Sequence, residues 1–298
     1  MKWEGNRQSE NVEDRRGDGP SMGGGGMRIG GRGIGLGTIV IALVAGWIFG
    51  INPLTILGVL SGGGMPDASV VQQEQGPAKR PPADDRMAAF VSTVLADTED
   101  VWKQQFAANG AQYREPRLVL FRGATPTACG TGQAAMGPFY CPGDQKVYID
   151  LGFYETMKQR LGAPGDFAQA YVIAHEIGHH VQHLMGITDK VDAMRQRVGE
   201  AQGNALSVRL ELQADCFAGV WAHHAQRARQ VLEQGDVEEA LNAASQIGDD
   251  NLQRRSQGTV VPESFTHGSS AQRVGWFKRG LQGGSVRECN TFDSNARL

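Results

Sequence analysis

The 298-residue sequence predicts a mainly helical α+β fold with a small sheet, preceded by one transmembrane helix. Three observations support this prediction. One long segment is apolar and free of charge, two short runs are rich in β-branched and aromatic residues, and several longer stretches repeat apolar residues at helical spacing. With 40% hydrophobic and 20% charged residues, the rest of the chain can form an ordinary globular core.

The N-terminal part of the chain predicts a disordered tail followed by a membrane span. Residues 1–33 are polar, charged and rich in glycine without apolar periodicity, so we expect disorder there. No charged residue lies between Arg32 and Asp67, and residues 34–60 are apolar over a length that can cross a bilayer of about 30 Å. A cleaved signal peptide is disfavoured because its charged region would be unusually long. A buried soluble helix is the other alternative.

Flanking charge predicts the orientation of this span. Arg28 and Arg32 lie just before it, whereas no Lys or Arg follows until Lys79. The positive-inside rule then places the N-terminus in the cytoplasm and the C-terminal part outside. Residues 61–83 are expected to form a linker, followed by one domain over residues 84–298. A net charge of −3 without a basic stripe argues against a nucleic-acid partner, and the oligomeric state is not indicated.

All four cysteines lie beyond the predicted span. An even number of cysteines in an oxidising compartment favours disulfides, and four cysteines allow three pairings. We favour Cys129–Cys141, which would close a short loop, and Cys216–Cys289, which would tie the C-terminal tail to a long helix.

Within the domain, residue spacing predicts helices and strands in a definite order. Residues 84–108 have a helical pattern that Asp97-Thr98 could divide in two. Two strands are expected, separated by a loop that carries two cysteines, and the rest of the chain is mainly helical. The strands fall at 118–121 and 146–150, the loop at 123–143, and the helices from Asp166 to just before Gly186 and at 206–231, 237–247 and 270–280.

The helix that begins near Asp166 carries the sequence His-Glu-x-x-His. His175 and His179 are four residues apart, so both imidazoles leave the same helix face one turn apart. Two ring nitrogens at this spacing can bind one tetrahedral Zn²⁺. Glu176 would project beside the ion and could act as a base for a bound water. A buried helix whose histidines merely bond to neighbours is the plainer interpretation.

Glu211 is the best candidate for a third ligand. It lies in a long helical run, and Asp215 follows four residues later on the same face. Metal-bound histidines commonly donate their free N–H to a carboxylate, so Asp215 is expected to orient one of them. The alternative is that both carboxylates belong to a solvated face. His180 points about 100° away from His179, and we expect it on the helix flank or rim.

These residues belong to longer segments that resemble the membrane-anchored neutral zinc metallopeptidases of bacteria. The resemblance runs from the N-terminus, through the His-Glu-x-x-His helix, to the C-terminal region. It includes Trp3-Glu4-Gly5, Asn11–Gly17, Gly137–Pro142, Val147–Asp150, Gly162–Phe167, Glu211–Cys216 and Ser264–Gly268.

The resemblance implies a zincin-like peptidase domain with one Zn²⁺ and a place at the bacterial inner membrane. Such an enzyme hydrolyses peptide bonds of protein or peptide substrates through a zinc-activated water, with Glu176 as the general base. Thr266-His267-Gly268 and Arg273 resemble the C-terminal His/Arg segment of related zinc proteases. His267 is therefore the candidate donor to the oxyanion, with Tyr148 and Arg273 as alternatives. Strand Val147–Asp150 is expected to form the sheet edge above the metal, where a peptide could add as a further strand.

Two other interpretations stay open. Peptide deformylases also combine His-Glu-x-x-His with a Cys ligand, for which Cys129 or Cys141 would have to serve. Those enzymes act in the cytosol, which conflicts with the predicted topology. A non-catalytic, zinc-stabilised binding or scaffold protein of the envelope is the second alternative. A purely structural zinc site is usually closed by four Cys or His ligands and does not need Glu176.

Overall fold

The computed structural model describes residues 1–18, 78–133, 137–160, 162–294, 296 and 298. In these ranges, helices cover one face of a four-stranded sheet. A separate two-stranded hairpin lies, in sequence, between the second and the third strand of that sheet. The strands are β1 (Val12–Asp14), β2 (Arg117–Phe121), β3 (Ala124–Thr127), β4 (Gly130–Gln133), β5 (Phe139–Cys141) and β6 (Lys146–Asp150). The fold class is α+β and mainly helical, as predicted.

The helices are more numerous than the sequence pattern predicted. They are α1 (Arg86–Ala108), α2 (Gly152–Arg160), α3 (Asp166–Leu184), α4 (Ile187–Arg195), α5 (Glu200–Arg229), α6 (Asp236–Gln246), α7 (Asp249–Gln257) and α8 (Ser270–Gly283). Short 3₁₀ turns occur at Pro262–Ser264 and Val286–Cys289. The predicted helices correspond to α1, α3, α5, α6 and α8, whereas α2, α4 and α7, which have nine residues each and few apolar ones, were missed.

The sheet has the order β1-β2-β6-β5, with β5 antiparallel to β6 and the other pairs parallel. Side chains alternate between its faces. Leu118, Leu120 and Ile149 point into the main core beneath the helices, whereas Val119 and Tyr148 belong to a small cluster on the opposite face. Strand β6 is therefore an inner strand, and the prediction that it forms the edge is wrong. The edge next to it is β5, which the sequence pattern had assigned to a loop.

Asp97-Thr98 does not break α1, which is continuous from Arg86 to Ala108. The Asp97 carboxylate accepts hydrogen bonds from the indole N–H of Trp221 (2.7 Å) and from Nε of Arg229 (2.5 Å). Residues of α5, distant in sequence, thus bond to the Asp97 carboxylate, which could otherwise hydrogen-bond to nearby backbone groups and interrupt the helix. This tertiary contact overrides the low helix propensity of Asp97-Thr98.

Residues 1–18 are folded, so the prediction of disorder over residues 1–33 is wrong for this part. Strand β1 pairs with β2, and the backbone N–H of Asp14 donates to the carbonyl of Lys79 at 2.7 Å. Glu13 is buried and accepts hydrogen bonds from Lys146 at 3.1 and 3.2 Å. The polar composition of this segment reflects a charged strand paired at the sheet edge. The domain therefore also includes residues 1–18 and 78–83, outside the predicted 84–298.

The N-terminal segment folds together with the helical domain. Residues 1–18 and 78–298 belong to one compact unit. The side of the membrane on which this unit lies stays a prediction. Within the described ranges, no helix combines the length and apolar character needed to cross a bilayer. The predicted span over residues 34–60 lies outside the described residues.

Two disulfides confirm the favoured cysteine pairing. Cys129–Cys141 joins the turn between β3 and β4 to the end of β5, at a sequence separation of 12. Cys216–Cys289 joins α5 to the C-terminal 3₁₀ turn across 73 residues. The second bridge fixes the C-terminal segment against the helix that carries Glu211.

Candidate metal centre

Helix α3 positions the two histidines of the sequence motif. It begins after Gly165, with Asp166 in its first turn, and ends at Leu184 before the left-handed Gly186. A carboxylate in the first turn interacts favourably with the helix dipole, and glycine adopts the left-handed conformation after the last turn without strain. The rings of His175 and His179 lie one turn apart with centroids separated by 4.8 Å. Both rings face α5.

Gly178 allows the two ligand-bearing helices to approach closely. A Cβ atom at this position would lie 3.0 Å from the carbonyl oxygen of Ala214 and 3.1 Å from its Cα. Any larger residue would push α3 away from α5. The glycine next to His179 thus sets the spacing between the histidines and the carboxylates of the opposite helix.

The structure brings His175, His179 and Glu211 together. Nε2 of His175 lies 3.2 Å from Oε2 of Glu211, and Nε2 of His179 lies 3.5 Å from Oε1 of Glu211. One donor atom from each of the three residues falls within 4.8 Å of the others. His175 is buried, and the other two are half-buried, so the centre opens to solvent on one side.

Hydrogen bonds at the far side of each imidazole assign the tautomers. Nδ1 of His175 lies 2.8 Å from Oδ1 of Asp215, and Nδ1 of His179 lies 2.9 Å from Oε1 of Gln182. Both partners are acceptors, so each Nδ1 carries a proton, and in the neutral form of each ring Nε2 presents a lone pair. Two lone pairs and a carboxylate then face one another, which is unfavourable unless a cation lies between them. Two imidazoles and one carboxylate suit Zn²⁺, with a fourth position left for water.

Asp215 occupies the centre of a buried network behind His175. Its carboxylate accepts hydrogen bonds from the hydroxyl of Tyr171 at 2.5 Å and from Arg273 at 2.8 and 2.9 Å. Burial disfavours its charge, but Arg273 and His175 lower the pKa of Asp215 to about 2. Asp215 therefore stays ionised and holds His175 in one orientation, the arrangement expected from its spacing to Glu211.

Gln182 orients the second histidine and was missed in the sequence. It is fully buried, and its amide also donates to the carbonyl of Leu210 (2.7 Å) and to Oε1 of Gln213 (3.1 Å). These bonds fix which end of the amide faces His179. The sequence feature that could have indicated this role is the position of Gln182, three residues after His179 on the same helix face.

The carboxylates around His175 favour the binding of a cation at the candidate metal centre. Burial opposes protonation of His175, but Asp215 and Glu211 raise its pKa to about 10. Protons thus compete with a metal for this site, and metal binding would release them. Burial raises the pKa of Glu176, which lies next to His175 and is not a member of the converging triad. A carboxylate with a raised pKa is suited to accept a proton near neutral pH.

His267 lies in a loop held against α5. Oδ2 of Asp249 accepts the backbone N–H groups of Thr266, His267 and Gly268 at 2.7, 2.6 and 3.0 Å. Nδ1 of the His267 ring lies 3.2 Å from Oδ1 of Asp249, and half of the side chain is exposed. Asp249 and Glu211 raise the pKa of His267, against the effect of burial. The influence of Glu211 places His267 in the electrostatic surroundings of the metal centre.

Three other polar residues are placed differently from expectation. Arg273 binds Asp215 behind His175, so its guanidinium is committed to that network. Tyr148 lies on the opposite face of the sheet and donates to Asp144 at 2.7 Å. His180 is fully buried, where its Nε2 donates to the carbonyl of Arg114 at 2.6 Å, and burial lowers its pKa to about 4. His180 is thus a core residue and does not lie at the rim.

These residues form a candidate metal centre of the His-Glu-x-x-His class with a carboxylate as the third donor, set in a helical α+β domain. The chain belongs to the family described as "Putative neutral zinc metallopeptidase", whose model matches residues 1–292. This confirms the resemblance noted in the sequence.

Relatives of similar length occur in bacteria. The chain is 55% identical over 295 residues to the uncharacterized protein YpfJ of Escherichia coli (strain K12), covering 98% of this chain and 99% of that protein. It is 42% identical over 205 residues to the uncharacterized protein Rv2575 of Mycobacterium tuberculosis, covering 65% of this chain and 67% of that protein. No solved structure matches the chain at a significant level.

Proposed function

We propose that this protein is a zinc-dependent peptidase with a zincin-like domain that binds one Zn²⁺ and hydrolyses protein or peptide substrates. The observation that carries the proposal is the convergence of His175, His179 and Glu211, with buried Glu176 next to the first histidine. A fourth, protein-derived ligand would close a structural site, but among the residues that the structure describes the converging group contains three.

Each side chain of the centre has a different role in hydrolysis. Zinc, when bound, supplies a Lewis acid that lowers the pKa of water towards about 7 and polarises a carbonyl. Glu176 accepts the proton from the attacking water and returns it to the leaving amine. Asp215 and Gln182 keep both histidine tautomers fixed while this occurs. His267, whose protonated form is favoured by Asp249, donates to the oxyanion that develops at the scissile carbonyl.

Strand β5 is the proposed docking edge for an extended substrate. Among the described strands it pairs with β6 alone, and it lies against α3, where the Tyr140 hydroxyl is 3.0 Å from Nδ1 of His180. A peptide that adds to the free side of β5 would be held by main-chain hydrogen bonds. Its scissile bond would then be presented to the metal centre.

The proposed place of action is the bacterial inner membrane. We propose that residues 34–60, which are apolar and free of charge, attach the protein to the bilayer. The metal centre lies on the same side as residues 1–18, because both belong to one folded unit. The two disulfides favour the extracytoplasmic side, where thiols are oxidised.

The direct test compares Glu176→Gln with Glu200→Gln, a control at an exposed position. Full-length proteins are assayed for bound zinc by elemental analysis and for casein and peptide cleavage. We expect Glu176→Gln to keep zinc and to lose about 10²- to 10⁴-fold in turnover, since the base is removed. The control should match the original chain.

Other results would contradict parts of the proposal. Unchanged cleavage by Glu176→Gln would refute the mechanism. Full zinc loading without cleavage of any substrate would favour the non-catalytic scaffold. Glu211→Ala should lower zinc affinity by at least tenfold, and an unaltered affinity would show that Glu211 is not a ligand.

A further inference from the structure

A line of buried amide groups connects His179 to the C-terminal segment. Nδ1 of His179 donates to Oε1 of Gln182 at 2.9 Å, and Nε2 of Gln182 donates to Oε1 of Gln213 at 3.1 Å. Nε2 of Gln213 in turn donates to the backbone carbonyl of Cys289 at 3.0 Å. Gln182 is fully buried and Gln213 is 4% exposed, so water is largely excluded from these bonds. The bonded groups form an amide network that links α3, α5 and the C-terminal 3₁₀ turn.

Two backbone carbonyls decide the direction of every bond in the amide network. A carbonyl oxygen can only accept, so the carbonyl of Cys289 must face the NH₂ group of Gln213, whose own oxygen then faces Gln182. The carbonyl of Leu210 accepts from the NH₂ group of Gln182 at 2.7 Å in the same way. The oxygen of Gln182 is thereby turned towards His179, where it keeps a proton on Nδ1 and leaves Nε2 for a metal.

The Cys216–Cys289 disulfide holds the acceptor at the end of this network. Cys216 lies on α5 three residues after Gln213, so the bridge keeps the Cys289 carbonyl within reach of the Gln213 side chain. The hydroxyl of Thr291 donates to the backbone carbonyl of Arg209 at 2.7 Å. The C-terminal segment is thus attached to α5 one turn before and one turn after Gln213.

The two histidines of the metal centre are held by different chemistry. A charged carboxylate, that of Asp215, orients His175, whereas a neutral amide, that of Gln182, orients His179. An amide can rotate and exchange its oxygen for its NH₂ group, and only its hydrogen-bond partners fix one orientation. Without Gln213, the Gln182 amide loses one of its two donor bonds, and the orientation that turns NH₂ towards His179 becomes more accessible.

We propose that Gln213 is a positioning residue for His179 and that the Cys216–Cys289 disulfide sustains this role by fixing its acceptor. The role rests on the proposed function, because it requires a metal bound at His179. Gln213 acts through Gln182 and touches neither the metal nor the substrate. A disulfide that supplies no ligand therefore contributes to zinc affinity.

The first test measures zinc affinity by chelator competition in full-length proteins. Gln213→Met keeps the length of the side chain and removes both polar ends, so it should bind zinc about tenfold more weakly. Gln202→Met, the same change at an exposed position of α5, should leave the affinity unchanged.

The two disulfides provide a matched comparison. Replacing Cys216 and Cys289 by alanine should weaken zinc binding to a similar extent, and adding Gln213→Met should cause little further loss, because both changes act on the same bonds. Replacing Cys129 and Cys141 by alanine removes the bridge outside the amide network and should leave zinc affinity unchanged. Circular dichroism checks folding. If Gln213→Met does not fold, the two bridge variants decide the question.

Proton exchange distinguishes positioning from a general loss of stability. In zinc-loaded protein labelled with ¹⁵N-histidine, the Nδ1–H protons of His175 and His179 report on their separate partners. Gln213→Met, or loss of the Cys216–Cys289 bridge, should speed exchange of the His179 proton with water about tenfold and leave that of His175 within about twofold.

The outcomes separate this inference from the proposed function. Neither measurement requires cleavage, so zinc binding without turnover would contradict the proposed peptidase while a selective effect on His179 would still support the positioning role. Equal zinc affinity in Gln213→Met and Gln202→Met would overturn that role, as would equal acceleration of both protons. Equal zinc affinity in the two bridge variants would overturn the contribution of the disulfide.

Discussion

At the scale of single residues, Asp215 contributes most to the organisation of the centre. It orients His175 from behind and compensates the buried charge of Arg273. Both members of the Asp215–Arg273 ion pair are almost fully buried, so neither can find solvent if its partner is removed. Metal affinity and stability are therefore both expected to depend on this carboxylate, but for different reasons.

Asp215→Asn should destabilise the metal-free protein by about 3–5 kcal/mol, because it leaves the Arg273 charge buried and unpaired. It should also lower zinc affinity about 10- to 100-fold through the loss of the His175 contact. Adding Arg273→Met should restore most of the stability but none of the zinc affinity. Denaturant unfolding with a chelator and zinc titration measure the two effects. Parallel recovery of both properties in the double variant would show that Asp215 has only a structural role.

At the scale of elements, the N-terminal strand is the least expected part of the fold. Strand β1 has three residues, and its place on the sheet depends on charge pairing as well as on main-chain bonds. Glu13 is 4% exposed and contacts Lys146, Arg15 and Arg117. Burial raises the pKa of Glu13, but Lys146 and Arg15 outweigh it, so the pKa is lowered overall.

Glu13→Gln should therefore lower the free energy of unfolding by about 1–3 kcal/mol at neutral pH. Because the pKa of Glu13 is lower in the folded state, its contribution is present above the unfolded pKa of about 4.5 and is lost as the pH falls through the folded value. The difference in the free energy of unfolding between the original chain and the variant should decrease below about pH 4.5. Glu4→Gln, in an exposed pair with Arg86, should change stability by less than about 0.5 kcal/mol at any pH. A pH-independent effect of Glu13→Gln would contradict this account.

At the scale of the whole molecule, the folded N-terminus bears on the proposed membrane topology. Residues 1–18 and the candidate metal centre belong to one compact unit, so we propose that both lie on the same side of the bilayer. The apolar segment over residues 34–60 joins two parts of that unit. The positive-inside rule, applied to a single crossing, predicts opposite sides, and cysteine labelling in cells distinguishes the two arrangements.

Single cysteines at Gln8 and Gln282, both exposed, provide the test in cells. Gln8→Cys and Gln282→Cys are each treated with a membrane-impermeant maleimide in intact spheroplasts and after lysis. We expect both to react in intact spheroplasts, because the disulfides favour the extracytoplasmic side. The unaltered chain is the control, since its four cysteines are paired and should not react. Labelling of one site alone would contradict the shared side, whereas protection of both would place the unit in the cytoplasm.

Local spacing alone was enough to find the metal-binding pattern. The spacing of His175 and His179, and of Glu211 and Asp215, follows from the repeat of one helix, and the long helices have clear periodicity. The cysteine pairs and the family were also predicted correctly. Contacts between distant residues decided the rest. Gln182 became an orienting residue, His180 a core residue, β5 the sheet edge and residues 1–18 a paired strand because of partners far away in sequence. Hydrogen-bond partners and sheet order depend on where elements meet in space, and the spacing of residues along one helix does not determine that.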